Sequence, residues 1–168
     1  IFQNLALGRS FRALAEGGKD VFYGGDLGVS FVESLQEKGG LLTMEDLLTH
    51  HSDWVDPIST TFNGYEVFEI PPNGQGLTAL LALNILEGED FSLMEPESAD
   101  YYHLILETMK LAFADRDYYI TDPEFVDVPV ERILSKAYAA ERRKLIDPFR
   151  ALPDASHGRV LGGDTVYL

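Results

Sequence analysis

The residue in this chain best placed for covalent chemistry is Thr165, which follows Gly162-Gly163-Asp164 and opens a β-prone segment, "TVYL". Inside a chain a threonine hydroxyl is a poor nucleophile. At a new N-terminus it becomes a good one, because its own α-amine can act as the base. That chemistry requires the Asp164–Thr165 bond to be cut first. The lead-in from Asp147 to Gly163 carries Pro148, Pro153, Gly158 and the Gly162-Gly163 pair. An irregular segment of that kind can strain the backbone and expose such a bond. The same residues also describe an ordinary strand start after a glycine turn.

Other clusters invite weaker readings. Gly74 and Gly76 precede an apolar run, where backbone N–H groups at a helix start can hold an anion. A P-loop would need Lys-Ser/Thr after the glycines, and Leu77-Thr78 stands there instead. With Ala79 the glycines fit the looser dinucleotide fingerprint, but a proline-terminated hairpin strand precedes them and a helix follows, so no βαβ unit is formed. A tight strand-to-helix corner is the plainer reading. His50, His51 and Asp53 are metal-ligand types, and His103 and Glu107 share a helix face, but no spacing supplies a third ligand. No metal and no cofactor are expected. In "KLAFADRDYYITDPEF", Lys110, Asp115, Arg116, Asp117 and Asp122 crowd together. A carboxylate pair for glycoside hydrolysis would need an apolar pocket to raise one pKa. A charged helix end with Arg116 paired to a carboxylate is the expectation.

Composition bounds the partners. The chain of 168 residues is 45% hydrophobic, with ten Phe, eight Tyr and a single Trp, so it can bury a core. Its net charge of −15 disfavours nucleic acid and anionic lipid. Its longest apolar candidate, Leu77 to Leu86, is too short to span a membrane and contains Thr78 and Asn84. Without cysteine, disulfides, thiolate metal sites and a Cys nucleophile are excluded. The chain starts at Ile1 and stops as a strand-like segment begins, so it is expected to be a piece of something longer.

The elements that must position these groups follow from periodicity. Leu7, Phe11 and Leu14 predict a helix over residues 3–17, and Leu27, Phe31 and Leu35 a second over 26–38, with Asp26 as its N-cap. Thr43 opens a short helix with Asp46 three residues on, a shorter relative of the capping box. Asn63-Gly64 predicts a type I′ hairpin of strands 56–62 and 65–70, ended by Pro71-Pro72. Residues 77–86 form a helix apolar around most of its circumference, which must be buried. Ser98 caps a helix to Tyr119 with two apolar stripes, one through Leu104 and Ala112 and one through Tyr102, Leu106, Met109 and Phe113, expected to be covered on both sides. A last helix spans 130–146. The fold class is α+β, mostly helical with a β-hairpin.

Several long motifs, in order, resemble the γ-glutamyltranspeptidase family: "NLALGRSFRALAEGGKDVFYGG", "GGLLTMEDL", "PPNGQGLTALLALNILEG", "MKLAFADRDYYITDPEF" and "VPVERILSKAYAAERRKLI". The resemblance covers nearly all of the chain. It implies a fragment of an N-terminal-nucleophile hydrolase with an αββα sandwich, whose precursor cuts itself into large and small subunits. On that basis residues 1–168 are a single partial domain from the late large subunit. Residues 147–164 are the junction linker and 165–168 the start of the small subunit.

Thr165 matches the family nucleophile, freed by cleavage of the Asp164–Thr165 bond. The implied substrate is a γ-glutamyl or other acyl amide, and the implied partners are the missing N-terminal and small-subunit segments. Val166-Tyr167 stands where many transpeptidases have Thr-His, which resembles the acylase-like branch. The substrate-gripping arginine would lie upstream of residue 1 and the oxyanion ligands downstream of Leu168, so the isolated piece is expected to be inactive. Family members are often periplasmic or secreted, and no targeting segment lies within these residues. The reading from another class is a non-catalytic helical scaffold or binding domain.

Overall fold

The computed structural model of the chain describes residues 3–160. The contacts divide the chain after Trp54 into two compact units.

The first unit holds α1 (Leu5–Gly17), α2 (Asp20–Tyr23), α3 (Asp26–Gln36) and α4 (Met44–Leu48). Asn4 caps α1, its Oδ1 accepting from the Leu7 N–H at 3.0 Å, and Gly18 closes it at φ 69°. The expected second helix begins one residue differently. Gly25, not Asp26, is the N-cap, and Asp26 occupies the first turn, where its charge suits the helix dipole. The reason is steric: a Cβ at Gly25 would lie 2.8 Å from the Val21 carbonyl oxygen. At Thr43 a full capping box forms. The Asp46 N–H donates to the Thr43 hydroxyl, and the Thr43 N–H donates to Asp46 Oδ2 at 2.7 Å. The core here is small: Gly28, Val32 and Leu47 are buried, with Phe22 against Phe31 at 5.5 Å between ring centroids. None of α1 is buried, so the stripe of Leu7 and Phe11 faces outward.

The second unit holds β1 (Ile58–Phe62), β2 (Tyr65–Glu69), α5 (Gly76–Leu86), a 3-10 turn (Phe91–Leu93), α6 (Ala99–Tyr119), α7 (Val130–Ile133) and α8 (Lys136–Arg143). β1 and β2 pair antiparallel with Phe62 opposite Tyr65, and Asn63 and Gly64 both take positive φ, 50° and 83°, as a type I′ turn requires. The strands are slightly shorter than expected, because Pro57 has no N–H to give and Ile70 precedes a proline. At Gly76 the chain turns so tightly that a Cβ would lie 2.7 Å from Glu69 Cβ and 2.8 Å from the Ile70 carbonyl oxygen. Gly74-to-Gly76 is therefore a corner packed on its own strand.

Helix α5 is the centre of this unit. Leu77, Thr78, Leu80, Leu81, Ala82, Asn84 and Ile85 are all buried, under the hairpin, α6 and α8. Leu111, Ala112, Ile133, Ala139 and Val160 close the core around it. Among the described residues, two expectations fail. The second stripe of α6 is only partly covered: Tyr102, Leu106 and Phe113 are exposed while Met109 packs against the core, because α5 and Arg142 of α8 meet the Leu104–Thr108–Leu111–Asp115 face instead. The helix expected over 130–146 is two helices. The Leu134 carbonyl accepts from Asn84 Nδ2 at 2.9 Å, while Ser135, extended at ψ 136°, caps α8 by accepting from the Tyr138 N–H. A side chain from α5 thus helps break the helix ladder.

Asn84 is the polar hub of the core. It is 1% exposed, its Oδ1 accepts from Thr60 Oγ1 at 2.5 Å and from Lys136 Nζ at 2.7 Å, and it ties β1, α5 and α7–α8 together. Replacing it with alanine leaves the Thr60 hydroxyl and the Leu134 carbonyl unpaired inside the protein. Asn84→Ala is expected to lower stability by about 2–4 kcal/mol, measured as a shift of the denaturant unfolding midpoint at unchanged m-value.

Candidate functional site

Thr165, Asp164 and the expected terminal strand lie outside the described residues. The structure instead shows how the lead-in toward them is held. From Asp147 to Val160 the chain has no helix or strand beyond an isolated bridge between Asp147 and Arg150, so its backbone groups need other partners. Side chains of α6, α7 and α8 supply them.

The first tether is at the middle of α6. The Glu107 side chain is 3% exposed, and its Oε2 accepts from the Leu152 N–H at 2.8 Å. Lys110 Nζ donates to Glu107 Oε1 at 2.7 Å and to the Leu152 carbonyl at 3.0 Å, so the pair grips both backbone atoms of one residue. Burial alone would raise the Glu107 pKa. The Lys110 ammonium and the Leu152 N–H more than offset that and hold the carboxyl below its ordinary 4.5. One turn earlier, His103 Nε2 meets the Asp147 carbonyl at 2.8 Å.

The second tether lies at the end of α6. Asp115 and Arg142 form an ion pair with Nε to Oδ2 at 3.0 Å, their side chains 1% and 4% exposed. Asp115 Oδ1 accepts from the Gly158 N–H at 2.7 Å, and Arg142 Nη2 donates to the Ser156 carbonyl at 2.7 Å. The Tyr119 hydroxyl donates to the Gly158 carbonyl at 2.6 Å and accepts from the Val160 N–H at 3.2 Å. Arg132 Nη1 donates to the Val160 carbonyl at 3.3 Å, and Tyr118 stacks on His157 with centroids 3.5 Å apart. A Cβ at residue 158 would lie 2.4 Å from the Tyr138 hydroxyl, so only glycine lets the chain sit this close. Burial, followed by the nearby Asp115 charge, pushes the Tyr138 pKa up and keeps its phenol neutral.

Chemically this is a clamp. Its charges are engaged by one another and by the backbone, and none of them forms a nucleophile–base pair. The expected charged end of α6 is present in part: Arg116 pairs with Asp117 at 2.6 Å and donates to Gln75 at 3.2 Å. Asp115, grouped with them in the sequence reading, is not at that surface. It sits on the buried face with Thr108 and Leu111, and its partner is Arg142. That partnership was missed, although the spacing Leu104–Thr108–Leu111–Asp115–Tyr119 continues the buried stripe and a buried carboxylate demands a counterion. Asp122 caps the next turn, accepting from the Glu124 N–H. Among the described residues no group of three or more His, Asp or Glu side chains converges to hold a metal. His51 lies 3.5 Å from Asp53 on the surface, and His50 stacks on Tyr23. No helix among the described residues is long and apolar enough to cross a membrane.

Comparison with known proteins defines the family. The γ-glutamyltranspeptidase family model matches residues 1–168. The glutathione hydrolase-like YwrD proenzyme of Bacillus subtilis is 43% identical over 99% of this chain and 31% of its own length. A crystal structure of cephalosporin acylase from Bacillus halodurans is 46% identical, with a TM-score of 0.67 over 83% of this chain and 26% of that one. The γ-glutamyltranspeptidase of Helicobacter pylori is 27% identical, with a TM-score of 0.76 over 97% of this chain and 48% of that one. The chain belongs to the γ-glutamyltranspeptidase family. Its mostly helical fold with one described hairpin is the expected fragment of an N-terminal-nucleophile hydrolase.

The Glu107 tether has a testable acid limit. Its folded pKa is depressed, so its contribution is complete above the unfolded value near 4.5 and is lost as pH falls through the lowered folded value. Protection of the Leu152 amide against hydrogen exchange, corrected for the intrinsic rate, is expected to be constant from pH 7 to 5 and to drop at more acidic pH. Glu107→Gln should remove that acid step and lower protection at neutral pH.

Proposed function

We propose that this chain is part of the precursor of an acyltransferase or amidohydrolase that matures by cutting its own Asp164–Thr165 bond. Residues 1–168 form one partial domain of the late large subunit, built from the two compact units. Residues 147–164 are the junction linker, and 165–168 open the small subunit. The observation that carries the reading is the family match, which runs unbroken through Thr165. Support comes from the relatives' designation as proenzymes, among them the acylase ACY 1 proenzyme of a Pseudomonas strain, 41% identical over 82% of this chain.

In this mechanism the Thr165 hydroxyl adds to the Asp164 carbonyl carbon. The Asp164–Thr165 C–N bond breaks, the acyl group passes to oxygen as an ester, and the Thr165 amine is freed. Water then hydrolyses the ester, leaving a carboxylate on Asp164. The freed amine serves as base while the same hydroxyl takes an acyl group from an amide donor, expels the donor amine, and passes the acyl group to water or to another amine. The substrate is a γ-glutamyl or related acyl amide. Val166-Tyr167 after the nucleophile, together with the likeness to cephalosporin acylase, favours the acylase-like branch. The exposed stripe of Tyr102, Leu106 and Phe113 on α6 is a face for the remaining layers of the sandwich.

The test is direct. Full-length precursor should run as two bands on a denaturing gel, the smaller beginning with Thr165 on N-terminal sequencing. Thr165→Ala should stay whole and lose activity on γ-glutamyl and glutaryl anilides, because the attacking oxygen is gone. A wild-type protein that remains one band, or a Thr165→Ala variant with full function, sinks the reading and favours a helical scaffold.

A further inference from the structure

Resting on that reading, we propose that Tyr119, with the Asp115–Arg142 pair and Arg132, positions residues 156–160 so that the Asp164–Thr165 bond is presented for self-cleavage. These side chains engage five backbone groups in a run of five residues: the carbonyls of Ser156, Gly158 and Val160, and the N–H groups of Gly158 and Val160. Val160 is itself 5% exposed and belongs to the core around α5. Only Leu161 to Asp164 separate it in sequence from the nucleophile.

A segment this close to the reacting bond has little rotational freedom left at its upstream end. Self-cleavage is an intramolecular attack, and its rate depends on how often the hydroxyl and the carbonyl carbon meet in line. Restricting one end of the reacting segment raises that frequency, as orienting reactants does in an intramolecular step. Stability is a weaker explanation of the arrangement. A buried ion pair is commonly no more stabilising than apolar side chains of the same volume, and what it supplies here is a fixed place for one stretch of backbone. These are positioning residues. They act on Thr165 through the chain and touch none of the reacting atoms.

The discriminating variant is Tyr119→Phe, which keeps the ring and removes only the hydroxyl that bonds Gly158 and Val160. In the full-length precursor its self-cleavage is expected to slow about tenfold. The melting temperature of the precursor should stay within a few degrees of wild type, and kcat of the cleaved fraction should be unchanged. Arg132→Gln, losing only the Val160 bond, should slow cleavage in the same direction. Tyr118→Phe, which keeps the stack on His157, should cleave at the wild-type rate. Wild-type cleavage in Tyr119→Phe overturns the proposal. So does equal slowing in Tyr118→Phe, or a loss of rate that tracks a loss of melting temperature. A wild-type precursor that never cleaves is a distinct failure: it removes the processing reading, and this inference with it.

Discussion

Helix α5 has no polar face, and everything in the second unit answers to that. A helix apolar all round cannot lie on a surface, so the chain must supply cover from several directions. The hairpin lies on one side, α6 on another and α8 on a third, while Val160 reaches the same core from the irregular segment. Enclosure has a polar cost, because α5 carries Asn84 into the interior and its last carbonyls have no helical donors. Both debts are settled by α7–α8. Asn84 reaches Leu134 and Lys136, and the Arg143 guanidinium donates to the carbonyls of Ile85, at 2.5 Å, and Asn84, at 2.9 Å. Gly88 leaves the room this needs, since a Cβ there would lie 1.9 Å from Arg143 Nη1. The burial of one helix thereby dictates where three other elements stand.

Once α6 and α8 are fixed on α5, the Asp115–Arg142 pair follows. The two residues lie on the inner faces of neighbouring helices, each almost wholly removed from water. Stripping water from two charges costs several kcal/mol per ion, and removing one partner alone typically costs 3–5 kcal/mol. The pair must therefore be complete, and its spare hydrogen-bonding capacity must be used. That capacity goes to the Gly158 N–H and the Ser156 carbonyl. Backbone without a ladder of its own and a buried ion pair with unfilled valences satisfy each other. The irregular segment is ordered by the same physics that makes the charges tolerable.

Much of the fold was legible because it is written locally. Asn63-Gly64 requires positive φ at both residues, and no other part of the chain needs to be consulted to place that hairpin. Thr43 with Asp46, Ser98 with its apolar run, and the uninterrupted apolarity of Leu77–Leu86 are equally local. What was not legible depends on residues far apart in sequence. The break at Leu134–Ser135 is helped by a side chain fifty residues upstream, Asn84, taking a carbonyl out of the helix. The exposure of Tyr102 and Leu106 depends on which face of α6 meets α5, and two apolar stripes of similar quality do not say which wins. The buried face of α6 carries Glu107, Thr108 and Asp115 beside Leu104, Leu111 and Ala112, so apolar periodicity finds its apolar half and not its polar members. Thr165 was singled out by a glycine turn and by resemblance, not by any geometry among its neighbours.

The division of labour in this piece of the molecule follows from those constraints. On the proposed processing, a nucleophile that must first free its own amine needs a firm hold on the chain before it. Among the described residues the last backbone groups held are those of Val160, and Gly162, Gly163 and Asp164 precede Thr165 in the sequence. The hold on residues 156–160 comes from helices brought together by the burial of α5.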